Sequence, residues 1–240
     1  MNKNPKLHFQ RFEMKYQLPL ALADRLVPAL LLHMKFDQNA QLQNNEMYYE
    51  VRSIYFDSID FRAYHEKIDG FEKRKKLRIR IYGNDDERLF FEIKRKHGQV
   101  VKKDRLIVDS GDFTEIISGN FEKFHFANDE LEVIEEFVFE KKYFNMRPNT
   151  LVAYKRRALV GTNEDKLRIT FDYDIQATSL GYVDFAKKTR PILKDMLIME
   201  VKFNNVLPNW VHDIIQKYGL KADSYSKYCA GVEASYPQFV

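Results

Sequence analysis

Lys75-Lys76-Leu77-Arg78-Ile79-Arg80-Ile81-Tyr82 alternates basic and aliphatic residues from Lys76 to Ile81. At the two-residue period of a strand, Lys76, Arg78, Arg80 and Tyr82 share one face, and Leu77, Ile79 and Ile81 share the other. The apolar face suits packing under helices. The other carries cations in single file, about 7 Å apart along the strand. One such strand means little, because solvent-facing strands are often basic; the pattern gains meaning by recurring.

It recurs along the chain with acids mixed in. Arg11, Glu13 and Lys15 alternate with Phe12, Met14 and Tyr16. Glu92 and Lys94 share a face of Leu89 to Lys94, and the return strand from Val100 to Val108 carries Lys103 and Arg105. Tyr154 and Arg156 sit together in Thr150 to Val160, Arg168 with Thr170 and Asp172 in Lys166 to Asp174, and Glu200 with Lys202 in Leu193 to Phe203. Three of these strands repeat the spacing E-x-K. Glu46 to Asp57 reads as a further strand. Turns are expected at Gly83 to Asp86, at His97-Gly98 and at Gly161 to Asn163. Helical patterns run from Pro19 to about His33, through Tyr64 to Ile68 behind Ser58 or Asp60, over Asp112 to Phe144, from Pro208 to Tyr218, and onward from Ser224 with Ser226 and Lys227. No linker divides the 240 residues, so one domain is expected, an α+β fold in which antiparallel strands outnumber helices.

Bulk composition excludes some classes. An apolar fraction of 45% supports a substantial core and argues against disorder. A formal charge of +4 gives a weak whole-molecule field, so any polyanion site must come from local arrangement. Cys229 is the sole cysteine, which excludes a disulfide framework and a thiolate metal cluster. Met1 to His8 is polar, unlike a secretion signal, and Leu18 to Phe36 is too interrupted to span a bilayer. A soluble, cytoplasmic protein without a transmembrane segment of its own is the expectation.

Half-solvated antiparallel sheets ordinarily turn charged faces to water. If the sheet closes, these faces instead line a lumen while helices cover the apolar exterior. A lumen crowded with cations repels itself unless an anion fills it. A nucleoside triphosphate or linear polyphosphate matches Arg forks and Lys ammonium groups. Arg11, Lys15, Arg105 and Lys202 belong to this substrate-facing set. Among its carboxylates, Glu13, Glu92 and Glu200 would hold a divalent ion, and oxygen-only ligation suits Mg²⁺ or Mn²⁺. The sequence has no P-loop, G-x-G-x-x-G or H-E-x-x-H motif, and its six histidines are dispersed. The basic runs Lys73 to Lys76 and Lys155 to Arg157 invite a nucleic-acid reading, but acids interrupt the basic faces and no RNP-like motif accompanies them, so no nucleic-acid partner is expected.

Eight ordered motifs carry a resemblance. Arg11-Phe-Glu-Met-Lys15-Tyr16, Ser53-Ile-Tyr-Phe-Asp57-Ser58, Lys76-Leu-Arg78-Ile-Arg80-Ile-Tyr82, Phe91-Glu92-Ile-Lys94, Tyr154-Lys-Arg156, Arg168-Ile-Thr-Phe-Asp172, Met199-Glu200-Val-Lys202 and Tyr225-Ser226-Lys227-Tyr228 resemble the polyphosphate polymerase (VTC) domain of the vacuolar transporter chaperone family, within the triphosphate tunnel metalloenzymes. The resemblance implies an eight-stranded antiparallel tunnel barrel with flanking helices. It implies a transferase that moves the γ-phosphoryl group of ATP onto inorganic polyphosphate. By motif, Arg78, Arg80, Lys94, Lys103, Arg156 and Arg168 would hold phosphates, Glu200 would ligate the metal, and Tyr154, Ser226 and Lys227 would contact phosphate near a tunnel mouth. Arg11 stands where the hydrolytic branch has the first acid of E-x-E-x-K, which favours transfer over hydrolysis. Eukaryotic members also carry an inositol-phosphate-sensing domain and membrane helices. Without them, the resemblance suggests a separate membrane-protein partner. A triphosphatase on the same scaffold and a non-catalytic polyphosphate binder are the alternatives.

Overall fold

Lys73–Tyr82 forms a strand whose faces separate as the two-residue period requires: Leu77, Ile79 and Ile81 are buried in the core. The computed structural model describes residues 11–39, 41–43, 46–83, 85–98, 100–162 and 167–239. The polar N-terminal stretch to His8, the turn residues Asn84 and Asn163, and Lys166 lie outside them. In chain order the elements are β1 (Arg11–Pro19), α1 (Leu20–Leu30), β2 (Met34–Phe36), β3 (Gln41–Gln43), β4 (Glu46–Asp57), α2 (Arg62–Ile68), β5 (Lys73–Tyr82), β6 (Asp85–His97), β7 (Val100–Asp109), α3 (Phe113–Ser118) and α4 (Asn128–Tyr143). β8 (Arg147–Gly161), β9 (Arg168–Ser179), β10 (Arg190–Pro191), β11 (Met196–Asn204), α5 (Asn209–Lys217), β12 (Ala222–Asp223) and α6 (Lys227–Ser235) follow. The fold is α+β, an antiparallel sheet with flanking helices. Among the described residues eight strands have nine residues or more. The other four are pieces of two or three residues. No helix among the described residues is long and apolar enough to cross a membrane.

The chain forms two compact units, and β4, β8 and β9 each contribute one stretch to either. The first unit takes residues up to Tyr48, Arg157–Tyr173 and Asp195–Tyr225. Its ladder runs β12-β1-β11-β9. Tyr16, Leu18, Ile169, Phe171, Met199 and Val201 turn to Leu26, Val27 and Leu30 of α1 and Val211 of α5, which together form its core. The helix expected from Pro19 to His33 ends at Leu30, and Met34 continues as strand.

The second unit takes Tyr49–Arg156, Asp174–Lys194 and Ser226 onward. Its ladder runs β8-β4-β5-β6-β7, all antiparallel. Leu77, Ile79, Phe91, Ile93 and Leu106 pack with Ile134, Phe137 and Val138 of α4. Phe91 and Phe137 meet edge to face with ring centres 5.0 Å apart. Each such fully buried side chain contributes about 1.5–3 kcal/mol, so α4 is fastened over the apolar face. The single helical stretch expected from Asp112 to Phe144 is two helices. Gly119 at φ +92 ends α3, and a non-helical stretch precedes Asn128.

α2 is capped from the end of β4, and Asp57 rather than Asp60 supplies the main acceptor. Asp57 Oδ1 accepts from Ala63 N at 2.8 Å and Oδ2 from Tyr64 N at 3.1 Å, while Ser58 Oγ accepts from Arg62 N at 3.1 Å. α6 starts later than expected. Ser226, not Ser224, is its cap, its Oγ accepting from Cys229 N at 3.4 Å.

Candidate functional site

The register of β5, β6 and β7 arranges the charged face in rows. Arg78 stands opposite Glu92, and Glu92 opposite Arg105. One step along, Lys76, Lys94 and Lys103 stand abreast. Like charges directly opposed on neighbouring strands are destabilising, and Lys103 of this row pairs with Glu92 while Lys76 Nζ lies over the Tyr228 ring.

Glu92 is the hub of these rows, with 0% of its surface exposed. Arg78 Nε donates to its Oε2 at 2.5 Å, and Arg105 Nε donates to its Oε1 at 2.8 Å. Lys103 Nζ pairs closely with Oε1, and Arg80 Nη1 lies 3.8 Å from Oε2. Burial alone would raise the Glu92 carboxyl, but Arg78, Arg80, Lys103 and Arg105 hold it far below the usual carboxylate range. The opposite strain falls on Lys103. Burial and Arg78, only partly offset by Glu92, pull its ammonium down to about 6.

Arg80 is 4% exposed, which removes the water-facing reading for this side chain. Its Nε donates to Ser53 Oγ at 2.9 Å, and its Nη2 donates to Tyr154 Oη at 3.4 Å. Tyr55 accepts from Arg78 Nη1 at 3.1 Å. Burial would raise the Tyr55 phenol, yet Arg78, Arg80 and Lys227 bring it down to about 8. Tyr82 accepts from Arg105 Nη2 at 2.8 Å and from Arg80 Nη1 at 3.3 Å. Lys227 Nζ lies 5.0 Å from the centre of the Tyr154 ring and Arg156 5.2 Å from it. Thus Arg78, Arg80, Lys103 and Arg105 gather on one carboxylate, while Arg156 and Lys227 gather on the ring of Tyr154. Lys94 holds the centre of the lysine row. Ser226, expected as a phosphate contact, is the cap of α6: its hydroxyl oxygen accepts from Cys229 N, and its O–H hydrogen is not used in that bond.

The first unit holds the remaining candidates. Across β1 and β11, Glu13 stands opposite Lys202 and Lys15 opposite Glu200. Lys15 Nζ lies 3.1 Å from Glu13 Oε1 and donates to the Tyr225 carbonyl at 3.2 Å. Lys202 Nζ lies 2.5 Å from Oε1 of Glu200, itself only 6% exposed. Arg168 pairs with the buried carboxylate of Asp37, which fixes the direction of its guanidinium. Arg11 begins β1 opposite Asn204.

Among the described residues no three Asp, Glu, His or Cys side chains converge as a metal ion requires. Glu92 fits a divalent ion poorly, because Arg78, Arg80, Lys103 and Arg105 already crowd its oxygens and a metal would have to displace them. Expected as a metal ligand, Glu92 is in this structure the counter-ion of those side chains. Glu13 and Glu200 fit better. They lie diagonally across adjacent strands and offer hard oxygens of the kind Mg²⁺ or Mn²⁺ takes.

Sequence reasoning passed over Ser53, Tyr55, Tyr82 and Asp37 as site residues. The signal for three of them was present. Tyr82 shares the face of Arg80 by period, and Ser53 and Tyr55 stand opposite Arg80 and Arg78 on β4. Asp37, far from Arg168 in sequence, left no such trace.

The VTC domain model matches residues 10–236 of this chain. Among solved structures, a candidate adenylate cyclase from Bacillus halodurans is similar, with 11% identity over 90% of this chain and 94% of that one and a TM-score of 0.51. A protein from Pyrococcus horikoshii has 12% identity over 93% and 99% of the two chains, with a TM-score of 0.46. No curated protein matches the sequence. With its family match running through both units, the chain belongs to the VTC domain family.

Proposed function

We propose that this protein is a metal-dependent polyphosphate polymerase, transferring the γ-phosphoryl group of ATP to a growing polyphosphate chain. The observation that carries the reading is the gathering of Arg78, Arg80, Lys103 and Arg105 on the buried Glu92, beside the row Lys76, Lys94 and Lys103. Three guanidinium groups and Lys103 on one carboxylate leave positive charge to spare, and guanidinium forks match phosphate oxygens. Family membership supports the same substrate class. The reading takes the protein as one functional domain with an eight-stranded tunnel; the eight long strands and the family match across 10–236 support it, while the strand order among the described residues ends at β12 and β7, so closure belongs to the proposal.

Phosphoryl transfer asks little covalent work of a protein, so positioning and charge neutralisation are the main contributions. Arg78, Arg80 and Lys94 would orient the transferred phosphoryl group, with Ser53 and Tyr154 fixing Arg80. Arg156 and Lys227, set about the Tyr154 ring, would neutralise the leaving or incoming phosphate. Lys103 and Arg105 would hold the neighbouring phosphate, and Lys15, Arg168, Lys202 and Arg11 would bind the rest of the substrate. Glu200 and Glu13 would hold Mn²⁺ or Mg²⁺, whose positive charge would offset that of the substrate's phosphates. A cytoplasmic location and a separate membrane-protein partner belong to the same proposal; the buried, reduced Cys229 is compatible with that location.

The test is incubation of the protein with ATP and Mn²⁺, with resolution of products by size. The reading expects ADP and long polyphosphate. Orthophosphate as the sole phosphorus product would mark a triphosphatase, and binding without turnover would mark a polyphosphate binder.

A further inference from the structure

Glu92 lies where a phosphate group would find its best donors, since its two oxygens take the N–H groups of Arg78, Lys103 and Arg105 that a phosphate also needs. The carboxylate is 0% exposed, and Arg80 stands 3.8 Å away, its Nε held by Ser53. An anion arriving at these donors meets a fixed negative charge that cannot retreat to water. We infer that Glu92 is a built-in competitor of the substrate's phosphates: it holds the cations in position between turnovers and weakens the grip on bound phosphate so that the chain can advance. This rests on the phosphate-site reading above.

The groups that face Glu92 give the charge balance. β5 contributes Lys76, Arg78, Arg80 and the Tyr82 hydroxyl, β6 contributes Lys94, β7 contributes Lys103 and Arg105, and β4 contributes the Tyr55 hydroxyl, which accepts from Arg78. A site with no acid among these cations would hold a polyanion tightly and release it slowly. With Glu92 present, each donor given to phosphate is withdrawn from the carboxylate. Binding then becomes an exchange of partners, with its gain reduced accordingly. A processive transfer needs this property, because the product of one step is the acceptor of the next.

Isothermal titration of inorganic tripolyphosphate into wild type and Glu92→Gln tests the inference, with steady-state turnover of ATP read alongside. Glu92→Gln should bind tripolyphosphate at least about tenfold more tightly, since a full negative charge leaves the cluster. Its kcat and KM should both fall. Equal or weaker binding by Glu92→Gln overturns the inference, because a merely structural Glu92 would leave a loosened cluster. Absence of tripolyphosphate binding by folded wild type overturns the phosphate-site reading itself. If Glu92→Gln does not fold, Glu92→Asp serves: it keeps the charge but withdraws it by one methylene, and should tighten binding by about twofold or more. Unchanged or weakened binding by folded Glu92→Asp also overturns the inference.

Discussion

Arg78 and Glu92 occupy opposed positions on neighbouring strands, and the guanidinium Nε lies 2.5 Å from the carboxylate Oε2. The contact is almost dry, with the Arg78 side chain 17% and the Glu92 side chain 1% exposed. Breaking a buried pair by removing one member is costly because the survivor is left uncompensated. Glu92 keeps Arg105 and Lys103 when Arg78 leaves, whereas the cations have no second carboxylate among these contacts. The cluster thus tolerates loss of one cation better than loss of its acid.

Arg80→Ala tests the catalytic assignment of the most deeply placed cation. Removal of one preorganised donor costs about 2–4 kcal/mol of transition-state stabilisation, or roughly a hundredfold to a thousandfold in kcat. Turnover of ATP should fall on that scale while circular dichroism retains the native strand signal. Loss of the folded spectrum would make Arg80 structural.

Glu200→Gln tests the metal assignment. The amide is nearly isosteric with the carboxylate, so the thermal transition should stay within a few degrees of wild type while metal-dependent turnover disappears. A titration of Mn²⁺ restoring full activity at ordinary concentrations would remove Glu200 from the metal site.

Lys103 makes binding pH-dependent. Arg78 and Arg80 of β5, Glu92 and Lys94 of β6 and Arg105 of β7 surround it, and in the folded protein its ammonium titrates at about 6 against about 10.4 for an ordinary lysine. Between those values the unfolded chain carries a proton that the folded one lacks, so the stability of the unliganded protein should rise with pH through this window. Bound polyphosphate restores the proton. Tripolyphosphate affinity should therefore decline as pH rises above about 6, by up to about tenfold per unit. Calorimetry at about pH 7, in buffers of different ionisation enthalpy and with the ligand's own proton linkage subtracted, should show markedly less proton uptake in Lys103→Gln than in wild type.

Asp57 and Ser226 separate stability from chemistry. Asp57 satisfies backbone N–H groups of α2 and pairs with the Tyr228 hydroxyl, so Asp57→Ala leaves several buried donors unmatched. Denaturant unfolding should show a loss of about 2–4 kcal/mol. Ser226→Ala should cost about 1 kcal/mol as a lost helix cap and should leave the KM for ATP within about twofold, whereas Lys227→Ala should lower turnover without moving the unfolding midpoint. A large KM effect from Ser226→Ala would return its hydroxyl to the substrate.

The strands and their charged faces were legible because a two-residue period leaves its mark on every strand that buries one face. β4 was expected at Glu46 to Asp57 and is found there. Helix ends were less legible. Of the two caps expected for α2, Ser58 accepts from Arg62 N and Asp60 gives way to Asp57, while Ser226 rather than Ser224 caps α6; the choice depends on how the chain leaves the preceding segment. The spacing E-x-K suggested that Glu92 resembled Glu13 and Glu200. Strand pairing divides them: Glu92 faces two arginines across its neighbouring strands, while Glu200 faces Lys15 and Thr170. Period shows which residues share a face. Only register shows who their neighbours are.

A polymerase and a hydrolase differ in where the terminal phosphoryl group of ATP ends up. ATP labelled at the γ position is supplied with Mn²⁺ and a short polyphosphate primer, and the products are separated by chain length. The account predicts label incorporated into chains longer than the primer, with one ADP formed for each phosphate incorporated. Label recovered wholly as orthophosphate, with the primer unextended, would contradict it.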